Sequence, residues 1–394
     1  MDKRTIRDVD YAGRRVLVRV DFNVPLEDGN ITDDTRIESA LPTIHALVDE
    51  GARVVLCSHL GRPGGEPDSE LSLQPAADRL GEMVEAPVRM APDCIGDEVA
   101  GMRAELGEGE ILVLENTRFR PGEEANDDDF AEQLAGDAEL YVDDAFGSMH
   151  RAHASTVGVT QFISDCVAGL LVEEELKRLE PCREASGDGF IVILGGAKVE
   201  EKIKAISQLL PRAERLLIGG AMAWAFLKAR GLEIGESLCE DESLEAAREI
   251  EAEMADLLDR MILPADVHIR QVKPDTGQTK YVPVTEMGPG WDGLDIGPET
   301  QSRFAQMVQD AEIVFWNGPM GYFERKPFDE GTRVVAAALA ETDAYTAVGG
   351  GDSVAAITEM GFEDDMSHIS TGGGASLEFV QGDDLPGVEA LDDK

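Results

Sequence analysis

The sequence predicts an α/β protein of two lobes, each a parallel sheet covered by helices on both faces. Apolar, β-rich runs alternate with helical patterns from one end of the chain to the other. Those runs read as continuous hydrophobics, as strands buried on both faces do, and not as the in-out alternation of a half-solvated sheet. The series also restarts once, after a helical stretch that ends in Pro, Gly and Ser, and 394 residues exceed what one ordinary core accommodates.

The elements follow in order. RRVLVRV opens the first series as a strand, followed by helical RIESALPTIHALVDEG, the strand ARVVLC, helical PAADRLGEMV and the strand APVRM. EILVLE and AELYVDD continue it as strands, with helical NDDDFAEQLAG between them. VEEELKRLEPCREASGDG reads as an amphipathic helix running into a hinge. GFIVILGG, ERLLIGG, RMILPADVHI, AEIVFWNG, AYTAVGGG and SHISTGGG then supply the strands of the second series. The expected division is a first lobe over 1–170, a linker helix and hinge over 171–188, and a second lobe over 189–380. The remaining segment, 381–394, is too short to stand alone.

Composition narrows the function. With 79 Asp and Glu against 35 Lys and Arg, the formal charge is −44. Nucleic-acid binding through counterion release needs basic stripes, and none is present. No apolar run approaches a membrane span, and MDKRTIRDVD lacks a signal-peptide core, so a soluble, cytoplasmic protein is expected. Self-repulsion on this scale weakens a fold in dilute salt and is largely screened at molar salt, where the Debye length is about 3 Å. A protein adapted to a salt-rich, halophilic interior is therefore expected. Cys57, Cys94, Cys166, Cys182 and Cys239 are odd in number and never form a C-x-x-C pair, which disfavours a disulfide framework and a zinc site.

Against that acidity, the cations retained where strands run into turns suggest a site for an anion, with phosphate the leading candidate. Arg36, His59, Arg62, Arg118, His150 and Arg151 lie in the first lobe, and a parallel sheet would bring the residues after its strands to one edge. Arg suits phosphate and carboxylate because its planar fork binds bidentately. Asp21 and Asn23 follow the first strand ahead of Pro25, either as turn formers or as partners of substrate hydroxyls. The second lobe places glycine at strand ends five times, at 195–196, 219–220, 318, 349–351 and 372–374. Such loops serve tight turns as well as phosphates; recurrence in one lobe favours phosphates. Lys198 and Lys202, four apart, are expected on one face of a helix opened by GGAK. Asp352 opens a helix, either as its N-cap or as an oxygen ligand for Mg²⁺. There is no Walker A motif and no G-x-S-x-G elbow.

Taken in order, RVDFNVP, TRIESALPTI, SHLGRP, ENTRF, DDAFGSMHRAHAS, ILGGAKVEEKI, IGGAMAWAFL, LDIGP, WNGPMGYFE, GGGDS and STGGGASLE resemble the phosphoglycerate kinase family over nearly the whole chain. The resemblance implies two doubly wound, Rossmann-like lobes joined by a helix and hinge, with the tail 381–394 packing back on the first lobe. It implies a monomer that transfers phosphoryl between 1,3-bisphosphoglycerate and Mg-ADP, yielding 3-phosphoglycerate and ATP. Carried over by position, Asp21, Asn23, Arg36, His59, Arg62, Arg118 and Arg151 match the 3-phosphoglycerate site. Arg36, Lys198, Gly373 and Gly374 match residues that meet the transferring group. Lys198, Lys202, Gly219, Gly220, Asn317, Pro319, Glu324, Gly350, Gly351, Asp352, Ser353 and Gly372 match the nucleotide site, with Asp352 as the Mg²⁺ contact. The chain departs from the commoner pattern at Glu201, Ala221 and Trp224.

Overall fold

The computed structural model describes every residue except Met1, Lys198, Glu200 and Glu201. The chain divides into two compact units, Met1–Lys177 with Asp384–Lys394, and Arg178–Asp383.

In the first unit the apolar runs form a six-stranded parallel sheet in the order Val88–Met90, Ile111–Val113, Arg53–Cys57, Arg15–Arg19, Leu140–Asp143, Cys166–Ala168. The chain starts in the middle, winds to one edge and returns to the other side of Arg15–Arg19. That reversal is the switch point where ligands collect beyond the carboxyl ends of strands. Helix Thr35–Asp49 buries Ile37, Ala40, Ile44 and Leu47, the three-and-four spacing of a single face, into the core formed with Val16, Val18, Val54 and Leu56. Asp127 starts helix Asp128–Ala135 by accepting the Phe130 N–H. The segment 384–394 belongs to this unit: Arg4 N–H donates to Asp392 O at 2.8 Å, Asp392 N–H donates to Cys166 O at 2.9 Å, and Lys3 pairs with Asp393 at 2.8 Å.

The division between the units falls within helix Leu170–Glu184, which runs through Pro181. Arg183 ties the end of that helix to the end of Gly374–Gln381, donating to Phe379 O at 2.9 Å and Asp383 O at 2.6 Å. All five cysteines are free, and four of them are buried.

The second unit carries its own six-stranded parallel sheet, in the order Met261–Ile262, Ala213–Ile218, Gly187–Leu194, Ile313–Asn317, Tyr345–Gly349, His368–Ile369. Its switch point lies between Gly187–Leu194 and Ile313–Asn317. One expectation is corrected here. RMILPADVHI is not one strand: Met261–Ile262 ends at the parallel edge, and Asp266–Val272 joins Asp275–Pro283 and Trp291–Ile296 in a separate antiparallel sheet. Pro264 stands between them with no N–H to give a ladder, which breaks the run.

Asp295, at the end of that second sheet, is fully buried and accepts from Gly331 N–H at 2.7 Å and Ile296 N–H at 2.8 Å. Burial, with Glu330 and Asp329 adding repulsion, pushes its carboxyl up to about 8. The folded state therefore holds a proton that the unfolded chain releases near pH 4. The stability this gives is fully present below that pH and is lost as pH rises through about 8, at up to about 1.4 kcal/mol per pH unit. Asp295→Asn keeps an acceptor for Gly331 and is expected to remove this slope, so that the variant outlasts the parent in denaturant at pH 8–9. Equal pH slopes for the two proteins would refute the assignment.

Candidate functional site

The carboxyl ends of the first sheet gather the predicted cations. Arg19, the last residue of the central strand, is 1% exposed. Its guanidinium donates to Ser155 Oγ at 2.9 Å, to Val20 O and to His59 Nδ1 at 2.9 Å. A guanidinium has only donors, so Nδ1 must accept and the imidazole proton sits on Nε2. Burial and the Arg19 charge hold His59 well below its ordinary pKa, so it is a neutral donor. Arg36, in the first turn of helix Thr35–Asp49, binds the Asp21 carboxylate. Burial alone would raise Asp21, and the charges of Arg36 and Arg19 more than offset it, leaving the group below the usual carboxylate range. Asn23 Oδ1 accepts the Gly61 N–H at 2.9 Å, which orients the amide and turns its NH₂ away as a donor. Arg118 is 5% exposed, donates to Gly61 O at 2.7 Å and lies 3.2 Å from Glu124.

Two cations stand apart. Arg62 is exposed and Arg151 half-buried, and neither forms an ion pair or a side-chain hydrogen bond among the described residues. With more than two acids for every base, an arginine left unpaired requires that acids be kept away from it. The histidines register the same imbalance. Burial and Arg151 push His150 down to about 4, and burial with Arg118 and Arg19 does the same to His153. A cavity of about 1020 Å³ in this unit shares none of these side chains. Its arginines are neutralised, Arg79 by Asp34 at 2.8 Å and Arg120 by Asp93, so it offers no comparable positive charge.

The second sheet forms a different kind of site at its switch point. A cavity of about 670 Å³ is lined by Gly196, Lys202, Lys204, Asn317, Gly318, Gly350, Gly351, Asp352, Ser353, Gly373 and Gly374. Helices Gly351–Met360 and Gly374–Gln381 both open on it, presenting first-turn N–H groups suited to phosphate. Gly350, at φ +91°, starts the first of these, and a Cβ there would meet Asn317 Nδ2 at 2.8 Å. Gly373 starts the second at φ +54°.

The predicted residues meet different fates. Lys198 lies outside the described residues, as does Glu201. Lys202 is not on a helix opened by GGAK: the helix is Ile203–Leu209, and Lys202 precedes it as the N-cap. Gly196 has φ +91°, and Lys202 Nζ donates to Gly195 O at 2.6 Å and Asn317 O at 3.2 Å. Asp352 is not the N-cap, which is Gly350; it is an exposed second residue of its helix whose side chain makes no capping bond. Ser353 is buried and accepts the Gly318 N–H, joining two of the loops. Gly372 N–H donates to Ser370 Oγ at 3.1 Å. Gly219 and Gly220 do not line this cavity; they are buried under the neighbouring loop, where a Cβ on Gly220 would meet Gly196 O at 2.6 Å and Pro319 O at 2.9 Å. Pro319 is buried, its carbonyl accepting the Gly196 N–H at 3.0 Å, and Glu324 is exposed and off the cavity wall.

Sequence reading passed over Arg19, Glu123, Ser155 and Lys204. A charged residue inside the otherwise apolar RRVLVRV was the available signal for Arg19.

One group is the natural fit for a divalent cation at this cavity. Asp352 presents an exposed carboxylate beside two helix N-termini, and Mg²⁺ is commonly held by one or two carboxylates together with substrate phosphates.

The phosphoglycerate kinase family model matches residues 6–383. Phosphoglycerate kinase of Rubrobacter xylanophilus is 52% identical over 100% of this chain and 99% of its own length, and that of Chloroherpeton thalassium 50% identical over 99% of each. Among solved structures, phosphoglycerate kinase from Coxiella burnetii superposes with a TM-score of 0.85 at 35% identity, covering 99% of this chain and 98% of the other. The enzyme from Pyrococcus horikoshii OT3 does so at 0.87 and 31%, covering 98% of each. A cation-rich sheet edge in one unit, a glycine-walled cavity in the other and whole-length likeness at half identity agree: the chain belongs to the phosphoglycerate kinase family and is an ATP-dependent phosphotransferase.

Proposed function

We propose that, in the family's reversible transfer of phosphoryl from 1,3-bisphosphoglycerate to ADP, the first unit binds the phosphoglycerate and the second the nucleotide. The observation that supports this assignment is the pair of unneutralised arginines, Arg62 and Arg151, in the unit that also carries Arg36, Arg118 and neutral His59 in so acidic a chain. Arg62, Arg118 and Arg151 bind the substrate's non-transferring phosphate and carboxylate groups, where bidentate donors are most effective. Asp21 accepts from a substrate hydroxyl and Asn23 donates to one. Lys202, the loop Gly350–Gly351 and Ser353 hold the nucleotide phosphates, with Asn317, Pro319 and Glu324 toward the ribose. Gly219 and Gly220 contribute by letting neighbouring loops approach.

Phosphoryl transfer calls for alignment and a dry, positive environment more than for covalent help. Arg36 and Lys198, with the N–H groups at Gly373 and Gly374, stabilise charge on the group in transit, and Gly372 belongs to the nucleotide loop. Mg²⁺ bound at Asp352 with the nucleotide would neutralise phosphate oxygens. Because the two ligands belong to separate units, transfer requires closure about the linker. The active form is a cytoplasmic monomer adapted to high salt, with no nucleic-acid or membrane partner. No helix among the described residues is long and apolar enough to cross a membrane.

ATP formation from 1,3-bisphosphoglycerate and Mg-ADP, followed from dilute buffer to molar KCl, tests this reading. Turnover is expected to rise with salt as self-repulsion is screened, and to be lost in Lys198→Ala. A folded protein without turnover at any salt would overturn it.

A further inference from the structure

Glu123, Ser155, Arg19 and His59 form one continuous hydrogen-bonded chain in the first unit. They are 0%, 0%, 1% and 7% exposed. Ser155 Oγ donates to Glu123 Oε1 at 2.6 Å, and the Ser155 N–H donates to Oε2 at 2.9 Å. Arg19 Nε donates to Ser155 Oγ at 2.9 Å, and Arg19 Nη2 lies 2.9 Å from His59 Nδ1.

The protons in this chain have one consistent arrangement. Guanidinium nitrogens only donate, so Ser155 Oγ and His59 Nδ1 both accept from Arg19. The hydroxyl proton of Ser155 then goes to Glu123, which accepts from both the hydroxyl and the N–H of the same residue. Glu123 thereby fixes Ser155, Ser155 and the Val20 carbonyl together fix the rotation of the Arg19 plane, and that plane fixes which imidazole nitrogen carries hydrogen. We propose that Glu123 is a positioning residue of the anion pocket, acting through Ser155 and Arg19 to hold His59 as a neutral Nε2–H donor toward the substrate.

The distinction matters chemically. Without Ser155 the Arg19 plane keeps only its bond to Val20 O, and once it turns away His59 takes the Nδ1–H tautomer and Nε2 meets an anionic ligand with a lone pair in place of a proton. A network of this kind acts as a unit, so the residue farthest from the ligand still controls the donor. The substrate named here rests on the function proposed above; the tautomer does not.

The test is two-bond ¹H–¹⁵N correlation of the histidine rings in the full-length protein, paired with 3-phosphoglycerate kinetics. The parent is expected to show His59 as Nε2–H. Ser155→Ala and Glu123→Gln should each shift it toward a tautomer mixture and raise KM for 3-phosphoglycerate about tenfold, leaving KM for Mg-ATP unchanged. Glu123→Gln alters a buried charge, so Ser155→Ala, which deletes one hydroxyl, carries the test if the other variant does not fold. An Nδ1–H tautomer in the parent, or unchanged tautomer and KM in Ser155→Ala, overturns the proposal. Tautomer control in a protein that does not bind 3-phosphoglycerate would overturn the substrate reading alone.

Discussion

Arg36→Ala is expected to lower kcat by about 10²–10⁴ while leaving Mg-ADP affinity near the parent value, by comparison with other lost donors to a transition state. The side chain is 38% exposed, so its removal opens no cavity in the core and stability should change little. Its partner Asp21 responds, however: burial raises that carboxylate, and Arg36 is the largest of the charges that bring it down. The variant should therefore also bind 3-phosphoglycerate less well at acidic pH, where Asp21 takes up a proton sooner. Arg36→Lys keeps a charge without the planar fork and should restore only part of the rate. Steady-state kinetics with a parallel ADP titration decide the matter, and turnover unchanged in Arg36→Ala would remove Arg36 from the transferring group.

Gly220→Ala should produce a large loss of stability among single methyl additions at the strand ends of the second unit. Two costs combine. At φ +63° an alanine is strained, and its Cβ would press on Gly196 O at 2.6 Å and Pro319 O at 2.9 Å, both backbone atoms that cannot rotate away. Strain of about 1–2 kcal/mol plus overpacking of about 1–3 kcal/mol gives a loss of about 2–5 kcal/mol. Gly361→Ala separates the terms: its φ is +78°, but nothing lies within 4 Å of the added carbon. That variant should lose only about 1 kcal/mol. Denaturant unfolding at molar KCl compares the two, and equal losses would show that the close loop packing around Gly220 is not what requires glycine there.

How much of this was legible beforehand depends on whether local pattern or tertiary contact decided the outcome. Continuous apolar runs such as RRVLVRV and GFIVILGG announce buried parallel strands, because covering both faces demands it. The clustering of Arg36, His59, Arg118 and Arg151 follows from the same topology, since each succeeds a strand of one sheet. Pattern fails where a few atoms override it. GGAK looks like the opening of a helix, yet the helix begins only at Ile203, and Lys202 Nζ donates to the carbonyls of Gly195 and Asn317. Asp352 has the sequence position of a cap, and Gly350 takes that place by virtue of its positive φ. The burial of Arg19 depends on Ser155 and His59, 136 and 40 residues away, which no window along the chain can join.

The return of residues 384–394 to the first unit has a consequence for how the chain is made. Synthesis proceeds from the amino end, so the strands of the first unit emerge early, but Arg4 and Cys166 must wait for Asp392 to supply their backbone partner. The second unit, by contrast, is a single uninterrupted stretch, Arg178–Asp383, and can close as soon as its last helix leaves the ribosome. The unit that is begun first is thus completed last, and a nascent chain stalled before residue 384 would expose an unfinished edge beside an already finished neighbour.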